Sequence, residues 1–273
     1  MNQNIPPEQS PQTQPPRPVQ VSMPTVKPYA TYIILGVTIF IYLLQLAGQY
    51  ILPASLANSL ISTYGTSDIA AILGEKVDAF IRAGQIWRLI TPVFLHDSTL
   101  PYGLLHIGFN MYALYVLGRS IEARYGHGRF VLLYFLSGYA GNVMSFLLTP
   151  NPSLGASTAL FGLFSAEAVF ILQNRKLYRD NGRRALTNIL SLMAINLFLS
   201  VSIPNVDMWG HVGGLLGGML FAWFGGPRWK LEGFYPAVRM VDEREGHGAL
   251  AGTISVLLFF IPLTALGWIW IVK

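Results

Sequence analysis

Apolar residues run almost unbroken through seven stretches of the chain, each closed by polar residues, proline or glycine. Crossing about 30 Å of hydrocarbon takes about 20 predominantly apolar residues in a helix. The stretches Tyr29–Leu52, Tyr102–Ser120, Phe130–Leu148, Ser157–Gln173, Ala185–Ile203, Asp207–Gly226 and Gly248–Val272 therefore each predict a membrane span. The fold class that follows is all-α, a polytopic helical bundle. Before the first span, residues 1–28 hold eight of the seventeen prolines among Gln, Asn and Ser. So little apolar surface predicts a disordered tail, and the tail lacks the short apolar core of a signal peptide. Residues 53–101 form a connection of about fifty residues, and loops this long are usually functional.

Composition agrees with the pattern. The chain is 52% hydrophobic and 11% charged, against about 25% charged residues in a soluble domain, so a soluble enzyme is excluded. The absence of cysteine removes disulfides, zinc–thiolate sites, iron–sulfur clusters and thiol nucleophiles.

A net charge of +5 suggests nucleic acid only until its placement is considered. With the N-terminus in the cytosol, fourteen of the eighteen Lys and Arg residues fall on cytosolic segments, including Arg119, Arg124, Arg129, Arg175, Arg228 and Arg244. Basic residues are retained on that side. The positive charge thus reports topology, and no nucleic-acid partner is expected. Spans two, four and six then begin at the outer surface.

Ionisable groups within spans are functional candidates by default. His106 and Asn110 lie in span two, Ser157 opens span four with Glu167 further along it, and His211 is in span six; Asn196 adds a polar group in span five. At about 1.5 Å of rise per residue, Ser157, His106, His211 and Asn110 all fall in the outer part of the bilayer. A hydroxyl is a weak nucleophile until an imidazole takes its proton. Ser157 follows the turn Pro152-Ser153-Leu154-Gly155-Ala156 and opens a helix, where its N–H has no intrahelical acceptor. His106 and Asn110 stand four residues apart, on one helix face, and both can donate to an oxyanion. Gly210, Gly214 and Gly218 recur every fourth residue around His211, a spacing that lets backbones approach closely in lipid.

Other groups have plainer readings. Asp207, four residues before His211, is expected to cap its helix. Glu167 is expected to pack in the bundle or reach a basic residue, Glu122 and Arg129 to pair across a short turn, and His96 to lie at the interface. Trp87 and Arg88 suit the headgroup level. His127 and His247 look incidental.

These residues resemble the rhomboid family of intramembrane serine proteases, from about Trp87 to about Gly225. Trp87-Arg88 is similar to its Trp-Arg motif, His106-Ile107-Gly108-Phe109-Asn110 to its His-x-x-x-Asn element, Gly155-Ala156-Ser157 to its Gly-x-Ser motif, and His211-Val212-Gly213-Gly214 to its sixth-helix histidine. The resemblance implies a six-helix core over residues 29–226 with the long external loop 53–101, a cytosolic linker at 227–247, and an added seventh span at 248–273. It implies Ser157 as nucleophile, His211 as general base, and His106, Asn110 and the Ser157 amide as oxyanion hole. Gly155, Phe161, Gly214, Trp87 and Arg88 would support the site, with no metal or cofactor. Substrates would be membrane-spanning proteins cut near the outer surface of a bacterial cell membrane, with membrane lipid as the other partner. Oligomeric state is left open. Two positions depart from the pattern: Thr158 replaces a usual glycine, and Phe161 replaces a tyrosine that stacks on the histidine. An inactive relative that escorts membrane proteins is the alternative; it would generally lack the serine or the histidine, and both are present.

Overall fold

A computed structural model of the chain describes residues 21–178, 181–204 and 206–269. The expected tail falls mostly outside these; within 21–28, Val26 N–H donates to Ala123 O and Met23 packs on the core. Each expected span coincides with a helix. Helix α1 covers Tyr29–Tyr50. The long loop contains α2 (Ala54–Tyr64), α3 (Ile69–Gly74), α4 (Asp78–Arg82) and two 3-10 turns, Ile86–Leu89 and Thr91–Phe94. Helix α5 (Tyr102–Ala113) passes through a π turn at Leu114–Gly118 into α6 (Arg119–Tyr125). Then come α7 (His127–Leu148), α8 (Ser157–Gln173), α9 (Arg175–Tyr178), α10 (Asn181–Ser202), α11 (Met208–Gly225) and α12 (Gly248–Ile269). The linker before α12 is not plain coil. It folds as an antiparallel hairpin of β1 (Trp229–Glu232) and β2 (Arg239–Asp242), with Trp229 opposite Asp242.

The protein is an all-α polytopic membrane bundle. Helices α1, α7, α10 and α12, each of 22 residues, are long and apolar enough to cross a membrane, and α8 is a shorter apolar helix. Burial separates the centre from the rim. Helix α8 is mostly apolar and buried on nearly every face, the mark of a helix enclosed by others. In α10 only Gly182, Ile189 and Ser200 are buried among the described residues, so it sits at the periphery.

The centre is built where α7, α8 and α11 meet through glycine. A Cβ at Gly214 would stand 2.0 Å from the Thr158 carbonyl oxygen, and one at Gly218 would stand 2.2 Å from that of Gly162. Helices α8 and α11 are therefore in backbone contact. A Cβ at Gly141 of α7 would stand 2.6 Å from both Gly210 O and Thr158 Cβ. In lipid, where apolar burial does not drive helices together, such close packing is a principal attraction.

At the end of the bundle opposite Ser157, ionic groups hold the helices in register. Glu122 is fully buried and accepts from Ala30 N (2.8 Å), Thr31 N (2.7 Å) and Thr31 Oγ1 (2.6 Å). Those amides are in the first turn of α1 and have no intrahelical acceptor. His127 Nδ1 lies 2.5 Å from the same carboxylate. The chain turns at Gly126 (φ 79°), which sets His127 back onto Glu122, so His127 is not incidental and Glu122 does not pair with Arg129. Arg129 binds Asp242 and the Arg244 carbonyl instead, tying the hairpin to α7. Glu167 pairs with Arg124, as its depth in span four suggested.

Adding a methyl group at Gly214 must push α8 and α11 apart. Gly214→Ala is expected to destabilise the protein by about 1–3 kcal/mol, the usual penalty of overpacking. Gly36→Ala, where a Cβ meets nothing within 4 Å, is expected to be neutral or slightly stabilising, by up to about 1 kcal/mol. Thermal unfolding in detergent compares the two.

Candidate active site

Ser157 is the first residue of α8, His211 the fourth of α11 and His106 the fifth of α5. The glycine seam brings the first two together: Ser157 Oγ lies 2.8 Å from His211 Nε2. The Phe161 ring, one turn after Ser157, stacks on the imidazole with centroids 4.2 Å apart and planes at 19°. It takes the place expected of it without needing a hydroxyl. His211 is buried and Ser157 half-buried.

The approach to Ser157 is held by the long loop. Lys76 exchanges both backbone hydrogen bonds with Ser153, at 3.0 and 3.1 Å, and Gly155 N–H donates to Pro92 O at 2.9 Å. The Lys76 ammonium, fully buried, donates to Thr149 O (2.6 Å) and Asn151 O (3.0 Å) and pairs with Asp78 (2.9 Å). Gly155 has φ +134°, a backbone region that side chains disfavour. A Cβ there would stand 3.2 Å from His106 Nε2 and 3.5 Å from Ser157 Oγ. His106 therefore borders the serine across Gly155.

Asn110 is buried one turn further along α5, and one of its N–H groups donates to His106 O at 3.0 Å. The N–H of Ser157, at the start of α8, is free of an i−4 helical acceptor in the manner of any first-turn amide. Thr158 does not crowd this side. Its side chain points into the seam against Gly141 and Gly210, which explains how a β-branched residue fits beside the serine.

Two sequence expectations need correction, those for Arg88 and His96. Arg88 does not snorkel into lipid: it is buried, donates to Glu75 O (2.7 Å), Ile72 O (2.6 Å) and Gln85 Oε1 (2.7 Å), and lies 4.6 Å over the Phe80 ring. The carbonyls ending α3 lack helical partners, and a planar fork of donors satisfies them better than headgroups would. Trp87 stays exposed, with Nε1 donating to Leu73 O at 3.0 Å. His96 is not interfacial but fully buried, with its ring centroid 5.0 Å from that of His106 and its Nε2 3.5 Å from Ala156 N. Burial, followed by the neighbouring His106, holds its pKa down at about 3. Asp207 caps α11 as expected, accepting from Gly210 N at 2.9 Å and from Thr149 Oγ1 at 3.1 Å.

The site also includes a residue that the sequence reading did not single out. Ser200, buried on α10, has its Oγ 2.6 Å from His211 Nδ1. No sequence signal marks it, because a serine late in an apolar helix is ordinarily a back-bonding or packing residue. Asn196, the polar residue noted in span five, is half-buried and donates within its own helix to Leu192 O at 2.8 Å.

A hydroxyl, an imidazole and a positive-φ glycine turn thus meet inside a bundle of apolar helices. The family model for the rhomboid domain matches residues 83–228, more than half the chain, and the chain belongs to the rhomboid family. It is 36% identical over 197 residues to Rhomboid protease GluP of Bacillus subtilis (strain 168), covering 72% of this chain and 34% of that protein. It is 35% identical over 158 residues to Rhomboid-like protease 1 of Toxoplasma gondii, covering 56% and 51%. With RHOMBOID-like protein 9, chloroplastic, of Arabidopsis thaliana the identity is 34% over 161 residues, covering 59% and 36%. The chain spans about a third to a half of the length of these relatives.

The loop that carries Arg88 also carries a titratable strain. Burial, and next the Asp68 carboxylate, push the Glu75 carboxyl up from 4.5 to about 7. The folded chain then holds this proton more tightly than the unfolded chain. Its stabilising effect is complete below about pH 4.5 and is lost as pH rises through about 7. Glu75→Gln is expected to match the parent's melting temperature near pH 4.5 and to exceed it at pH 8, read from paired thermal melts.

Proposed function

We propose that this protein is an intramembrane serine peptidase that uses Ser157 as nucleophile and His211 as general base. The observation that carries the reading is the 2.8 Å contact between Ser157 Oγ and His211 Nε2, next to the positive-φ Gly155 turn. Family membership and relatives named as proteases support it.

In this mechanism the Ser157 hydroxyl adds to a substrate peptide carbonyl as His211 Nε2 takes its proton. The carbonyl oxygen becomes an oxyanion, stabilised by the Ser157 N–H, His106 and Asn110. Collapse breaks the C–N bond, and the proton on His211 passes to the leaving amine. Water then adds to the Ser157 ester, giving its proton to His211, and Ser157 leaves reprotonated. Asn110 turns from His106 O toward the substrate oxygen, since catalytic hydrogen bonds often form only once substrate is bound.

The substrate class is the membrane-spanning segment of other proteins, with lipid as the surrounding partner. Cleavage falls near the extracytoplasmic face. Supporting this, the serine, both histidines and the long loop share one end of the bundle, while Arg119, Arg124 and Arg129 lie toward the other. Retention of basic residues in the cytosol also puts the N-terminus there. Residues 29–226 form the working core, and α12 is an addition docked on it.

A fluorophosphonate probe in liposomes is expected to label the parent chain and not Ser157→Ala. Cleavage of a tagged single-span substrate is expected to vanish in His211→Ala. Asp207→Asn, which keeps an oxygen to accept from Gly210 N and Thr149 Oγ1, is expected to keep most activity. Probe labelling of Ser157→Ala, or near-normal turnover by His211→Ala, contradicts the assignments.

A further inference from the structure

His211 has two ring nitrogens, and a general base needs a lone pair on the one facing the nucleophile. Which nitrogen carries the hydrogen is set by what the other nitrogen meets. Here Nε2 faces Ser157 Oγ at 2.8 Å and Nδ1 faces Ser200 Oγ at 2.6 Å. In many serine hydrolases a carboxylate takes the second position. Asp207 is the nearest candidate in sequence, but its Oδ1 accepts from Gly210 N and Thr149 Oγ1. Among the described residues its buried Oδ2 has no hydrogen-bond partner, and the carboxylate has no hydrogen bond to the His211 ring.

A serine hydroxyl is ambiguous in principle, since it holds one hydrogen and two lone pairs. The surroundings of Ser200 remove the ambiguity. Its Oγ also lies 2.8 Å from Asn196 O, one turn earlier in α10. A carbonyl oxygen only accepts, so the single Ser200 hydrogen points to Asn196. Toward His211 the Ser200 oxygen therefore presents a lone pair. Nδ1 must carry the hydrogen, and Nε2 is left with the lone pair that Ser157 needs. The relay runs from Asn196 O through Ser200 and His211 to Ser157, with every hydrogen assigned.

We propose that Ser200 is the positioning residue of this site: a neutral hydroxyl on α10 that holds His211 in its Nδ1-protonated form and fixes the ring plane. This rests on His211 acting as the base of Ser157. When the imidazole gains the Ser157 proton, both nitrogens carry hydrogen, and the Nδ1–H···Ser200 bond persists in a stronger, charge-assisted form. Among the described residues, this bond is the only side-chain hydrogen bond from α10 to another helix. Ser200 is also one of only three buried residues on α10. A peripheral helix that packs on α8 through Ile189 thus reaches His211 through the Ser200 hydroxyl.

The test combines nitrogen NMR with kinetics on the full chain in detergent micelles. With ¹⁵N-labelled histidine, and the His211 signal assigned by its loss in His211→Gln, the parent is expected to show protonated Nδ1 and unprotonated Nε2. Ser200→Ala is expected to show a mixture of the two tautomers and to lower kcat about 10-fold with KM unchanged, the scale of one ordinary hydrogen bond. Ser200→Thr keeps the hydroxyl and is expected to restore both readouts. Ser200→Val, of the same shape as Thr, is expected not to, which separates the hydroxyl from packing should the alanine variant fold poorly. A parent with hydrogen on Nε2, or a Ser200→Val variant equal to Ser200→Thr in tautomer and kcat, overturns the proposal. Failure of the parent to take up a fluorophosphonate would instead remove the peptidase reading, and the tautomer measurement, which needs no turnover, would still decide the role of Ser200.

Discussion

The site depends on two helices touching backbone to backbone. The Ser157–His211 hydrogen bond joins the two helices whose backbones meet in this seam. Gly214 and Gly218 on α11 meet the carbonyls of Thr158 and Gly162 on α8, leaving no room for even one methyl group. Interiors are close-packed and transmit such displacements rather than absorbing them. The position of Ser157 relative to His211 is therefore a property of the seam, and Thr158, with its methyl directed at Gly141 and Gly210, is part of that seam rather than of the chemistry.

The long loop supplies the second constraint. A nucleophile at a helix start is only as well placed as the turn before it, and the long loop supplies most of the ties on this turn, with Thr149 Oγ1 bonded to Asp207 on the α11 side. Lys76, Pro92 and the Lys76–Ser153 bridge hold residues 149–155 from the loop. Arg88 in turn binds the last carbonyls of α3. Both cations are buried, and both are neutralised chiefly by oxygen dipoles, with Asp78 the one carboxylate paired to Lys76. Burying charge without such partners is prohibitive, so the loop is as rigidly specified as the bundle.

Polar groups elsewhere divide by what they satisfy. Glu122 closes the open amides of α1, Asp207 those of α11, and Arg129 the hairpin before α12. All are groups whose absence would leave buried donors or acceptors without partners. Ser200 differs, because its own hydrogen is spent within α10 and its remaining lone pair is turned to a residue of another helix.

Apolar run length marked the seven stretches that fold as helix, four of them in helices long and apolar enough to cross a membrane, since a span must hide its backbone and match the bilayer thickness, and both demands are local. The same one-dimensional logic placed Ser157, His106, Asn110 and His211 at one depth and marked the glycines of α11. Phe161 and Asp207 were also legible, because stacking one turn away and capping three residues away are short-range. Contacts between segments distant in sequence were not. Whether Arg88 faces lipid or the ends of α3, whether Glu122 meets Arg129 or α1, and whether His96 is exposed all turn on which segments pack together. Ser200 is the clearest case: it is an unmarked serine in a peripheral helix, and only the tertiary approach of α10 to α11 brings its lone pair to the imidazole.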